Sequence, residues 1–145
     1  MKKYENFCRS LANLKVGLEL NEPYTIVEQT GIAGLFEICF EQSWKLLKFF
    51  LEDQGASDVK IGSPRNILKI AYSWGVIENE ELWLEILGAR NVLAHTYSQE
   101  QALKVIRTLK KDYITAFEKL KETMDIYFKE AQTVEDAQAK IMNKL

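Results

Sequence analysis

The stretch LKVIRTLKKDYITAFEKLKETMDIY, residues 103–127, decides the fold. Leu103, Ile106, Leu109, Tyr113, Phe117, Leu120, Met124 and Tyr127 recur every three or four positions, the spacing that lines one face of an α-helix with apolar side chains. A helix this long cannot cover that face alone and should pack along a whole bundle. Ser98, with Gln101 three residues on, makes a capping box and sets a helix boundary just after Tyr97. After Glu130 the chain is polar with few anchors, so residues 131–145 are expected as a helical tail on a single bundle of residues 1–130.

Working back towards the amino terminus, the same rhythm returns. Tyr4, Phe7, Leu11, Leu14 and Leu18 give a first amphipathic helix, which Asn21-Glu22-Pro23 ends. Glu28 to Gln54 reads as the longest and most apolar helix, and it carries more than one stripe: Leu35, Phe36, Cys39, Phe40, Leu46, Leu47, Phe50 and Leu51. It reads as the central helix, closed at Gly55. Ser63-Pro64 is a helix start, with Ser as cap and Pro in the first turn, for a short helix from Arg65 to Trp74 that stops at Gly75. Glu78-Asn79-Glu80-Glu81 places acid at the positive end of the next helix dipole. The expected architecture is all-α: an antiparallel four-helix up-and-down bundle with one additional short helix.

Composition narrows the function classes. Hydrophobic residues make up 47% and charged residues 28%, with two prolines among 145 residues, an ordinary balance for a globular helical domain. A net charge of -2 and a pI near 5.6 exclude a general nucleic-acid sponge, so any RNA contact must be local and no DNA partner is expected. Two cysteines and a single histidine are too few for a disulfide framework or a four-ligand zinc set, and no metal or cofactor is expected. Cys8 and Cys39 read as buried small hydrophobes, and Trp44, Phe49, Phe50, Trp74 and Trp83 as core or interface. Met1-Lys2-Lys3-Tyr4-Glu5-Asn6 leads straight into an amphipathic pattern, which is neither a signal peptide nor a membrane span, so a cytoplasmic location with no membrane partner follows by elimination.

Arg90-Asn91-Val92-Leu93-Ala94-His95-Thr96-Tyr97 holds the lone histidine. Trp83, Leu87, Ala94 and Tyr97 follow one helix face, and Arg90 falls on that stripe. A guanidinium among apolar neighbours needs a carboxylate, a carbonyl or a phosphate from outside. Five residues of helix turn through about 500°, so Arg90 and His95 point about 140° apart unless the helix ends near His95 or a second copy completes the site. The boundary at Ser98 supplies such an end. Asn91 and His95, four apart, share a face.

These residues resemble the motif of HEPN-domain proteins, and more narrowly the nucleotidyltransferase substrate-binding or HepT-like toxin family. Phe36-Glu37, Phe40-Glu41, Trp44-Lys45, Leu47-Lys48, Ser63-Pro64-Arg65 and Arg90-Asn91…His95-Thr96-Tyr97 come in the order that family shows, over most of the chain. The resemblance implies a HEPN-like bundle, a homodimer, and a small cognate nucleotidyltransferase as partner. It also implies that this enzyme attaches AMP to Tyr97. Gly88-Ala89 stands where the family often has an acid before Arg-Asn, and Ala94 where it often has a serine, so Arg90 should lack one usual partner.

A lone histidine is most often a core or capping residue satisfied by a carbonyl. His95 stands instead beside a helix boundary, between an anion clamp and a hydroxyl. That set suits metal-independent RNA cleavage, with His95 moving the ribose 2′-hydroxyl or leaving-group proton and Arg90 holding the phosphate. Asn91 either caps within the bundle or orients substrate. Lys104 and Arg107, with Lys110 and Lys111, form either a solvated face or a track for RNA or nucleotide phosphates. Lys45, Lys48, Arg65 and Lys69 are further candidates for the mouth of the cleft. The rival reading is a non-catalytic subunit that binds a nucleotide or other substrate for the transferase.

Overall fold

In a computed structural model that describes residues 1–59, 62–95 and 98–144, with backbone alone at 130–132, the described chain is helical with no strand. Six α-helices follow in order: α1 (Lys2–Leu18), α2 (Ile26–Asp53), α3 (Pro64–Ser73), α4 (Glu80–His95), α5 (Gln99–Thr108) and α6 (Ile114–Asn143). Leu109–Tyr113 forms a turn of π-helix that joins α5 to α6 without a loop. The four long members are therefore α1, α2, α4 and the compound α5–α6, with α3 as the short insertion, as the apolar spacing predicts.

Cross-helix pairs fix the directions. Lys15 Nζ meets Glu118 Oε1 at 3.4 Å and Tyr4 donates to Asp125, so α1 runs antiparallel to α6. Glu78 and Lys119 pair at 3.4 Å and Trp83 sits edge-on to Phe117 at 5.4 Å, so α4 is also antiparallel to α6. Gln29 Nε2 donates to the Gln99 carbonyl at 2.6 Å and Gln54 Nε2 to Tyr127 Oη at 3.2 Å, which makes α2 parallel to α5–α6. That is the relation of the second and fourth helices in an up-and-down bundle.

Most of the side chains the apolar rhythm named form the core, although Tyr4, Leu18, Leu35, Phe50, Leu103 and Tyr127 are only part-buried at its margin. Phe7, Leu11 and Leu14 of α1, Phe36, Phe40, Leu46 and Leu47 of α2, Ile67 and Leu68 of α3, Trp83 and Ile86 of α4, and Phe117, Leu120 and Met124 of α6 are all buried. The buried polar side chains find carbonyls: Ser43 donates to Cys39 at 2.7 Å and Ser10 to Phe7 at 2.8 Å. Burial also pushes the Cys39 thiol up to about 12, whereas Cys8 is only half-buried.

Helix ends are set by local chemistry. Ser63 Oγ accepts from Asn66 N–H with Pro64 as first residue, and Asn79 Oδ1 caps α4 through Leu82 N–H at 3.1 Å. Gly55 and Gly75, at φ of +95° and +76°, adopt the left-handed conformation that ends helices and that other residues resist. Two boundaries differ from expectation. Helix α2 starts at Ile26 and not at Glu28, because Thr25 and Glu28 complete a capping box there. The long series from Leu103 is broken by the π turn, since Leu109, Tyr113 and Phe117 are spaced by four twice in succession and a wider turn keeps all three buried.

Of the two places expected for Trp74, core or interface, the core is ruled out: it follows Ser73 as the C-cap of α3 and is 48% exposed. All side chains from 133 to 144 are exposed, although α6 continues to Asn143. No helix among the described residues is long and apolar enough to cross a membrane.

Candidate functional site

Helix α4 presents Arg90 and His95. Its buried stripe is Trp83, Ile86, Leu87 and Leu93, so the expected place of Ala94 on that stripe is corrected: Ala94 is exposed and Leu93 takes the core position. The three-residue step from Arg90 brings Leu93, and not Ala94, into the core. Arg90 itself lies at the stripe's edge with its side chain 30% exposed.

Arg90 has the partner its position demands. Its Nη2 donates to Glu41 Oε2 at 3.1 Å, its Nη1 donates to Asn91 Oδ1 at 3.1 Å, and its guanidinium carbon stands 6.0 Å from the centre of the Phe40 ring. The acid missing at 88–89 is thus replaced from α2. A guanidinium has five N–H donors, so two bonds leave three for a ligand. Glu41 is the site residue to which sequence reasoning gave no role. The available signal was a carboxylate directly after buried Phe40, at the border of α2's apolar face.

His95 is the last residue of α4 and is exposed. Helix α5 opens at Ser98, whose Oγ accepts from Gln101 N–H at 3.1 Å, so the helix break falls where the capping signal put it. Thr96 and Tyr97, including the modification expected at Tyr97, lie outside the described residues.

The basic residues of α5 are differently engaged. Lys104 is exposed. Arg107 forks onto Glu22 of the α1–α2 loop, with Nη2–Oε1 at 2.7 Å and Nε–Oε1 at 3.1 Å, and these bonds hold the Glu22 carboxyl below its usual range. Lys110 donates to the Leu20 carbonyl at 2.6 Å and lies over the Tyr24 ring at 5.2 Å. Two of the four cations therefore clamp the α1–α2 loop, Arg107 to α5 and Lys110 to the π turn.

A cavity of about 240 Å³ lined by Ile77, Leu82, Trp83, Ala116 and Leu120 lies beside the start of α4. From Trp83 to His95 the helix rises about 18 Å, so this cavity belongs to the other end. Arg90 and His95 occupy an open surface. Among the described residues no three His, Cys, Asp or Glu side chains gather as a metal site.

A family model described as nucleotidyltransferase substrate binding protein like matches residues 2–126. The chain belongs to this family. A curated relative, the probable ribonuclease HepT of Haemophilus influenzae, is 35% identical over 86 residues, which is 56% of this chain and 59% of that protein; the match thus spans under two thirds of the relative's length. Among solved structures, a Thermus thermophilus protein superposes with a TM-score of 0.67 at 27% identity, covering 79% of this chain and 94% of that one. Two more share the fold. A Haemophilus influenzae protein, described as having the fold of a nucleotidyltransferase's substrate binding domain, gives a TM-score of 0.69 at 24% identity over 84% of this chain and 98% of that one. The toxin–antitoxin MntA–HepT mutant gives 0.68 at 14% over 86% and 95%. The family's substrate-binding bundle and the bundle described above are therefore one architecture.

Proposed function

We propose that this chain is the RNA-cleaving subunit of a toxin–antitoxin pair, controlled by a small cognate nucleotidyltransferase that adds AMP to Tyr97. The observation that carries the reading is Arg90, oriented by Glu41 and Asn91 with donors to spare, on the same helix whose last residue is exposed His95. Arg90 would hold the scissile phosphate and offset its growing charge. The 2′-oxygen attacks phosphorus, the bond from phosphorus to the 5′-oxygen breaks, and a cyclic phosphate and a 5′-hydroxyl result. One imidazole takes the 2′-hydroxyl proton and a second, protonated one gives its proton to the leaving oxygen. Each chain has one histidine, so this balance calls for a homodimer in which two motifs face each other.

A face suited to that pairing is present. On α2, Val27, Gly31, Gly34, Ile38 and Glu41 recur by four and three, with Val27 77% and Ile38 54% exposed. On α4, Gly88, Val92 and His95 do the same, and open space surrounds the Cβ positions of Gly31, Gly34 and Gly88. Small residues flanked by exposed apolar ones let a second copy approach closely. Asn91 and Lys104 would contact the RNA, and Arg107 would do so on leaving Glu22. AMP on Tyr97 would put bulk and negative charge by this phosphate site and silence it. No metal enters the mechanism. The working bundle is residues 1–130, with 131–145 as an appended tail, acting in the cytoplasm; the family match ending at residue 126 supports that division.

The alternative is a non-catalytic subunit that presents a nucleotide to the transferase, which the family's description favours. One experiment separates them. Wild type should cleave RNA in the presence of a chelator, His95→Ala should not, and ATP with a cognate small nucleotidyltransferase should add AMP to Tyr97 by mass spectrometry and stop cleavage. A wild type that cleaves no RNA but binds nucleotide would establish the alternative.

A further inference from the structure

Glu41 collects more than Arg90. Its Oε2 also accepts from Trp44 Nε1 at 3.1 Å, and its Oε1 faces Lys45 Nζ at 3.4 Å. One carboxylate thus stands between two cations from different helices, Arg90 of α4 and Lys45 of α2. Two positive charges against one negative leave the group a net positive charge. The side chains remain open to solvent, Lys45 49% and Arg90 30% exposed, so an anion can reach both.

We infer that Glu41 is a positioning residue that holds Arg90 and Lys45 side by side as one seat for the RNA backbone, with Lys45 a phosphate-binding residue. This rests on the ribonuclease reading. A lone i,i+4 Glu–Lys pair on a helix surface adds little to stability. This one differs, because the indole N–H of Trp44 and the Arg90 fork fix the carboxylate from two further sides. A fixed carboxylate holds the guanidinium over the Phe40 ring, and the side chain stays 30% exposed with N–H groups beyond the two bonded ones. Arg90 then meets the reacting phosphate without first searching for its orientation. Lys45, a point charge on a flexible stem, suits the neighbouring phosphate, where charge matters more than angle.

The test compares wild type, Glu41→Gln and Lys45→Gln on a short single-stranded RNA, by steady-state kinetics and by binding at several salt concentrations, with thermal melts as a folding control. Glu41→Gln keeps the shape and removes the charge, so kcat should fall about 10- to 100-fold with a smaller change in KM. Lys45→Gln should raise KM more than it lowers kcat, and should reduce the magnitude of the slope of log affinity against log salt by about 0.7. Should Glu41→Gln unfold, the salt slope of Lys45→Gln decides alone. A folded Glu41→Gln with wild-type kcat, or Lys45→Gln with an unchanged salt slope, overturns the inference while the ribonuclease reading survives. A wild type that neither cleaves nor binds the RNA overturns both.

Discussion

The Arg90 guanidinium of α4 and the Glu41 carboxylate of α2 are joined across the bundle by a 3.1 Å ion pair with each side chain about one-third exposed. The pair is neither sealed nor free, so it can orient Arg90 without removing it from a ligand's reach. Arg90→Ala should lower RNA cleavage by about 100-fold or more, yet cost only about 1 kcal/mol of stability, because part-exposed pairs contribute little. Arg90→Lys should restore the charge but not the rate, since a lysine cannot reproduce the two-sided fork to Glu41 and Asn91. Single-turnover cleavage and urea unfolding on the same preparations check both halves.

His95→Ala removes an exposed side chain at a helix end. Its stability effect should stay within about 0.5 kcal/mol, while cleavage should fall by about 10²- to 10⁴-fold. A large loss of melting temperature would instead reveal a structural histidine.

The aromatic contact between Trp83 and Phe117 joins α4 to α6 within the core. Trp83→Ala should destabilise the fold by about 3–5 kcal/mol, measured by denaturant midpoint, with nucleotide or RNA effects following only from unfolding.

Thr25 and Glu28 cap α2 reciprocally, at 2.9 Å and 3.1 Å. Thr25→Ala should cost about 1 kcal/mol, and Thr25→Ser much less, by the same unfolding measurement.

Asp125 binds Tyr4 and Lys121, the latter at 2.7 Å. Partial burial alone would raise its carboxyl, but hydrogen bonds from Lys121 and Tyr4 outweigh that and hold it below the usual range. A depressed carboxylate stabilises the fold fully above its unfolded pKa, near 3.9, and that contribution is lost as pH falls through the lower folded value. Asp125→Asn should therefore destabilise at neutral pH and show a smaller stability difference from wild type below about pH 4, followed by unfolding at a series of pH values.

Much of this was legible in the residues because the apolar period is a direct record of which face is buried. Leu103 to Tyr127 specify the helical face that α5, the π turn and α6 share, and Ser63-Pro64 and Ser98 specify starts that their hydroxyls confirm by hydrogen bonding; the expectation that 28–54 is the longest helix is corrected, since α6 has 30 residues against 28 in α2. Glu41 as the partner of Arg90 was not legible. A pair separated by 49 positions depends on how two helices pack, and no local spacing reports that. Ala94 against Leu93 was missed for a related reason: steps of three and four both fit the stripe, and the packing of α2 on α4 chooses between them. For Trp74 the residues leave core and interface both open, because hydrophobicity marks what can be buried, whereas its place at the turn after α3 excludes the core.

The π turn at Leu109–Tyr113 matters for comparing this chain with its relatives. An α-helix advances about 100° per residue, so a relative with a regular helix there would need one residue fewer to keep the equivalents of Phe117, Leu120 and Met124 facing inward. Pairing the two sequences without a one-position gap would set core residues against surface ones for the remainder of the chain, and would make a real kinship look weaker than it is.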